Sequence, residues 1–135
     1  MLYPVIIEQD DSTFMARFPD IPEALTCGDT PEEALAEAQD ALLTAFEFYF
    51  EDERAVPLPS AIVGDSVAVP ASVWAKVLLL NELVAQGVSQ TELAKRMNTR
   101  KQEVQRIINL AHATKIDTLN RALAALGKQL NLSVA

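Results

Sequence analysis

The charge of this chain is divided between its two halves with opposite sign, and that division constrains the fold more than any other feature. Residues 1–69 carry two basic side chains, Arg17 and Arg54, against fifteen acidic ones, whereas residues 70–135 carry nine basic against four acidic. The formal net charge of −8 describes neither half. Such asymmetry predicts two modules with different partners, 1–69 and 70–135. Half of the 135 residues are apolar, so each module has material for a small core. The single cysteine, Cys27, leaves no intramolecular disulfide, and no Cys/His cluster offers a zinc set. No apolar run approaches the roughly 18 residues that span a bilayer, and the first residues lack a basic stretch followed by an apolar one. The expectation is a cytoplasmic protein with no membrane partner.

In the acidic half, residues 2–7 form a β-rich apolar run that reads as one strand covered on both faces. Gln9-Asp10-Asp11-Ser12 is a polar turn, and residues 13–18 complete a hairpin. Pro19-Asp20-Ile21-Pro22 reads as a break, with a short third strand at residues 24–27. Thr30, Pro31 and Glu33 make a helix start with a capping box. Behind it Leu35, Ala38, Leu42, Phe46 and Tyr49 recur at helical spacing. Periodicity stops over residues 51–65, a connecting segment marked by Pro57, Pro59 and Gly64, and residues 66–69 read as a last strand. The order is β-β-β-α-β, an α+β layer of one sheet and one helix.

Fifteen carboxylates invite a metal-dependent nuclease reading centred on Asp10 and Asp11. The spacing argues against it: residues 2–7 contain no acid, and most others decorate the outer side of a helix. A solvated acidic face is the better account, and a surface that meets a basic partner is the sharper alternative. Cys27 has no basic neighbour in sequence to lower its pKa and reads as a buried structural thiol. No catalytic, metal-binding or cofactor-binding residue is assigned.

The basic half is more specific. Val73, Val77, Leu80 and Val84 make a helical stripe over residues 71–86, stopped by Gly87. Ser89 and Glu92 form a second capping box, and Leu93, Ala94 and Met97 point inward. Asn98 tolerates the left-handed backbone that a tight turn demands. Thr99 then starts a third helix running to about Leu110. On a helical wheel Val104, Ile107 and Ile108 share one side, and Gln102, Gln105, Arg106 and Asn109 lie opposite, with no acid at the centre of that face. Arg100 and Lys101 flank its N-terminal end, and Gln90 opens the preceding helix. Amides suit adenine edges, guanidinium suits guanine, and positive charge suits phosphates. Gln90, Thr99, Arg100, Lys101, Gln102, Gln105, Arg106 and Asn109 are therefore the expected DNA contacts of a helix-turn-helix.

A further capping box is expected at Thr114-Lys115-Ile116-Asp117, opening a helix through Leu119 and Leu123 that ends at Gly127. This arrangement looks like an Xre/Cro-like repressor domain. Leu130, Leu132 and Val134 alternate with polar residues as a short strand or frayed tail. His112 reads as structural, and Trp74 as a core or dimer contact.

The run Phe18-Pro19-Asp20-Ile21-Pro22-Glu23-Ala24-Leu25-Thr26-Cys27-Gly28-Asp29-Thr30-Pro31-Glu32-Glu33-Ala34 resembles the antitoxins of the HicB family. So do the helix through Asp40 to Phe46 and the following Val56-Pro57-Leu58-Pro59-Ser60. With the second module in this order, the chain is similar to the longer, helix-turn-helix branch of that family. The resemblance implies a partial ribonuclease-H-like N-terminal fold without nuclease activity. It also implies a basic partner, a HicA-type messenger-RNA endonuclease toxin, whose contact residues on this chain stay unassigned. The C-terminal domain would bind operator DNA as a homodimer or higher homo-oligomer and repress the operon. Asn98 stands where glycine is usual at the turn of this motif. A repressor answering to a small ligand, with no toxin partner, is the alternative.

Overall fold

The first apolar run does not fold as one strand. In the computed structural model, which describes all 135 residues, it divides into β1 (Leu2–Pro4) and β2 (Ile6–Asp10). Pro4 has no N–H to extend a ladder, and the Val5 N–H turns to the Asp65 carbonyl at 3.1 Å. Burial changes sides there: Tyr3, Pro4 and Val5 are buried, whereas Ile6 is exposed. The expected cover is thus limited to Tyr3, Pro4 and Val5, and Leu2 is exposed like Ile6. β1 pairs antiparallel with β5 (Ser66–Ala68), and Tyr3 stands opposite Val67. β2 pairs with β3 (Thr13–Phe18), which pairs with β4 (Ile21–Gly28), all antiparallel.

β4 begins earlier than the expected residues 24–27 because Pro22 is accommodated in an irregularity and does not end the sheet. Arg17 faces Leu25 but Phe18 faces Ile21, so residues 22–24 drop out of the ladder and no donor is needed from Pro22. Helix α1 (Pro31–Glu51) follows. Thr30 caps it as expected, its Oγ1 accepting the Glu33 N–H at 3.1 Å, while Glu33 Oε2 reaches one residue past the box and accepts from the Asp29 N–H at 3.2 Å. Gly28 is required just before it, since a Cβ there would lie 2.6 Å from the Ala34 nitrogen. α1 buries Ala34, Ala38, Leu42, Ala45, Phe46 and Tyr49. The Phe46 ring meets Tyr3 edge-on at 5.7 Å, and the Tyr49 hydroxyl donates to the Glu23 carboxylate. Burial, with Asp20 and Tyr49 adding to it, pushes the Tyr3 hydroxyl well above its ordinary range.

Contacts divide the chain into two units, Met1–Tyr49 with Pro57–Pro70, and Phe50–Val56 with Ala71–Ala135. The second is all helical: α2 (Ala71–Gln86), α3 (Gln90–Arg96), α4 (Lys101–Ile108) and α5 (Ile116–Ala124). α2 buries more than one stripe, taking in Ala75, Val77, Leu79, Leu80 and Leu83, while Val84 is 38% exposed. Ala75, Leu79 and Leu83 join Leu93, Ala94, Val104, Ile107, Leu119 and Leu123 in one core. The Asn81 amide pairs with both backbone groups of Val56, at 2.8 and 3.0 Å, and so holds residues 50–56 to α2.

Three helices of this unit end in the same way. Gly87, Asn98 and Gly127 have φ of 64°, 55° and 74°. In each case the next N–H reaches back across the turn, Val88 to Leu83, Thr99 to Ala94 and Lys128 to Leu123, at 2.9 Å. These are Schellman closures, which need one residue in the left-handed region. Two expected boundaries move. α4 starts at Lys101 with Arg100 as N-cap, so Thr99 lies before the helix, and it ends at Ile108. The expected box at Thr114 is not made: Lys115 is the N-cap of α5, and the Thr114 hydroxyl pairs with His112 Nδ1 at 3.1 Å. Residues 129–134 form no strand; Leu130 packs on the core, and Leu132 and Val134 are exposed.

Candidate nucleic-acid interface

α3 and α4 make the two arms of a helix-turn-helix, and local sequence sets each joint. The Ser89 hydroxyl accepts the Glu92 N–H at 3.1 Å and fixes the start of α3. The Glu92 carboxylate does not reach back to complete the box; it takes Arg96 Nε at 3.2 Å instead. Ala94 is buried where the two helices meet, and Asn98 closes the turn. α4 then turns Val104, Ile107 and Ile108 into the core and leaves Gln102, Gln105 and Arg106 in solvent.

Thr99, Arg100, Gln102 and Arg106 line one shallow concavity at the N-terminal half of α4. Glu103 lines it too and stands 3.6 Å from Arg106, so an acid sits beside the face whose centre was expected to hold none. Both partners are half-exposed, so this pair is weak and releases Arg106 readily to a stronger acceptor. Arg100 and Lys101 are exposed and make no ion pair with the protein. A concavity with two guanidinium groups, one amide and one hydroxyl can take phosphate oxygens and base edges together.

The other expected contacts stand differently. Lys101 and Gln105 are exposed on α4 but do not line the concavity. Gln90 is half-buried, and its amide donates to Glu53 at 3.2 Å. Asn109 caps the end of α4, its side-chain oxygen taken by the Ala111 N–H at 2.9 Å. Of the eight expected residues, Gln90 and Asn109 thus already hold hydrogen-bond partners in the protein, and Arg106 has its weak ion pair with Glu103.

Lys76 is a residue the sequence reading passed over. It is 2% exposed, and Nζ donates to the carbonyls of Asn109 at 2.6 Å and His112 at 2.5 Å. A buried ammonium at the C-terminal end of α4 suits the negative end of the helix dipole. Burial pulls its pKa below the ordinary lysine value. The only sequence signal was a lone cation inside the apolar run of α2. Cys27, expected buried, is exposed. No group of three or more His, Cys, Asp or Glu side chains is arranged to hold a metal ion, and no helix is long and apolar enough to cross a membrane.

Comparison with known proteins adds independent findings. Residues 2–78 match a family described as HicB-like antitoxin of bacterial toxin-antitoxin system, and residues 79–132 match a helix-turn-helix family. The chain is 59% identical over 132 residues to a protein named Antitoxin HicB 2 of Photorhabdus laumondii, covering 98% of this chain and 95% of the relative. It is 50% identical to Antitoxin HicB of Escherichia coli K12, covering 98% of each. Antitoxin HicB of Pseudomonas fluorescens is 38% identical, with 98% of this chain and 92% of the relative covered.

Proposed function

The chain belongs to the family of HicB-like antitoxins of bacterial toxin–antitoxin systems and carries a helix-turn-helix domain, and we propose that it both neutralises a toxin and represses its own operon. The toxin is a HicA-type endonuclease of messenger RNA. The acidic first half, residues 1–69, covers the toxin's RNA-binding and catalytic surface by steric masking and charge complementarity. The basic second half, residues 70–135, docks α4 in the major groove of operator DNA. A homodimer or higher homo-oligomer would present two such helices about one DNA turn apart.

The observation that carries this reading is the outward face of α4, where Arg100, Gln102 and Arg106 share one concavity on a helix fixed by packing at its other side. Arg106→Ala or Gln102→Ala is expected to weaken operator binding by about 1–3 kcal/mol and to relax preference at one base pair. Toxin neutralisation in the same variants should stay at the wild-type level. Electrophoretic mobility shifts with base-substituted operators, run beside a growth-rescue assay, read both quantities. Loss of both activities in a still-folded variant would show the division of labour to be wrong.

A further inference from the structure

Cross-strand partners in an antiparallel sheet share a face. In the β2-β3-β4 sheet, Ile7, Ala16 and Thr26 form one inward row, and Ala16 is fully buried. The two flanking rows point the other way: Ile6, Arg17 and Leu25, then Glu8, Met15 and Cys27. Four of these six side chains are apolar or a thiol, although the outward face of a small antiparallel sheet is normally polar. Leu25 is 56% exposed and Ile6 36%, and Cys27 is exposed beside them. An apolar patch left open on a sheet marks an interaction surface.

Charge selects the occupant. The unit formed by Met1–Tyr49 and Pro57–Pro70 holds twelve acidic side chains and one basic side chain, Arg17. Arg17 is neutralised on this same face by Glu8 at 2.9 Å. A second copy brings the same negative field and is repelled, whereas a cationic protein is steered in and then covers the apolar residues. We infer that the outer face of the β2-β3-β4 sheet, built from Ile6, Glu8, Met15, Arg17, Leu25 and Cys27, is the surface on which this unit seats a cationic protein. The inference rests on the antitoxin reading and supplies the contact surface that reading lacks.

The test titrates the full chain with a catalytically inactive variant of the toxin encoded beside it. Leu25→Arg places a cation at the centre of the patch and should weaken binding at least about tenfold. Glu37→Arg, on the exposed side of α1, should stay within about threefold, although it changes the net charge more. Circular dichroism and thermal unfolding of Leu25→Arg should match wild type, which reports an intact fold. Independently of any substitution, Cys27 in the wild-type complex should react with a maleimide at least about tenfold more slowly than in the free chain. A saturated complex in which Cys27 reacts at the free rate overturns the inference, as does Leu25→Arg binding like wild type. If Leu25→Arg lowers the mass of the free chain while toxin affinity holds, a second copy occupies the face and the inference fails. A wild-type chain that ignores the toxin altogether overturns the antitoxin reading as well.

Discussion

Lys76 couples the interior of the helical unit to the end of α4. Its ammonium donates to two carbonyls, on Asn109 and His112, the first of which also accepts the His112 N–H at 3.0 Å. Lys76→Met keeps the aliphatic stem and removes the donor, so unfolding by urea should show a loss of about 1–3 kcal/mol near neutral pH. The pH dependence has a definite sign. The folded pKa lies below the ordinary value of 10.5, so between the two the unfolded chain holds more protons than the folded one. Stability contributed by this group therefore rises with pH through that alkaline interval. The stability difference between wild type and Lys76→Met should grow on going from about pH 8 to about pH 10; a flat difference would show that Lys76 keeps its proton throughout. None of this was legible from residue 76 itself. The burial of one lysine, like the exposure of Cys27, depends on which elements lie over it, and the local sequence is silent about that.

At the level of elements, the turn between α3 and α4 is the joint of the helix-turn-helix. Asn98 adopts φ 55°, where a side chain with a Cβ is strained and asparagine is tolerated. Asn98→Gly should hold or raise stability by up to about 1 kcal/mol, and Asn98→Ala should lower it by about 1 kcal/mol. Thermal unfolding of the two variants side by side measures this, and equal melting temperatures would remove the strain argument. Signals of this kind, completed within four to six residues, were readable in advance. Thr30 with Glu33, Ser89 before α3, and the stops at Gly87 and Asn98 all sit where the sequence placed them. What failed involved a rival partner for the same group, two close in sequence and one far along the chain. The Thr114 hydroxyl was claimed by His112, the Glu92 carboxylate by Arg96, and the first strand divided where Val5 turned to Asp65. The candidate DNA face shows the same pattern. The outward set on α4 follows from period alone, whereas the engagement of Gln90 by Glu53 arises from residues far apart in sequence.

For the whole molecule, the units group charge differently from the two halves of the sequence. Glu51, Asp52 and Glu53 fall with the helical unit, which then holds ten basic and seven acidic side chains. The helical unit is thus only mildly basic, and the strongly acidic unit repels phosphate wherever screening is weak. Binding of a basic toxin would cancel that repulsion. Operator affinity should therefore be higher with toxin bound than without at low salt, and the gain should shrink as salt rises toward physiological strength. Operator titrations with and without toxin at two salt concentrations test this, and a gain insensitive to salt would remove the electrostatic explanation. The same grouping bears on how such a protein can arise. α1 begins in one unit and its last residues, Phe50 and Glu51, belong to the other, as does Val56 with its two bonds to Asn81. A genetic exchange that grafted residues 70–135 onto a foreign N-terminal domain would deliver a helical unit stripped of Phe50 and Val56, with an orphaned Asn81 amide. Shuffling of these modules in evolution is therefore restricted to donors that bring their own version of this short interleaved segment, and a DNA-binding half traded at a single junction starts out with a hole in its core.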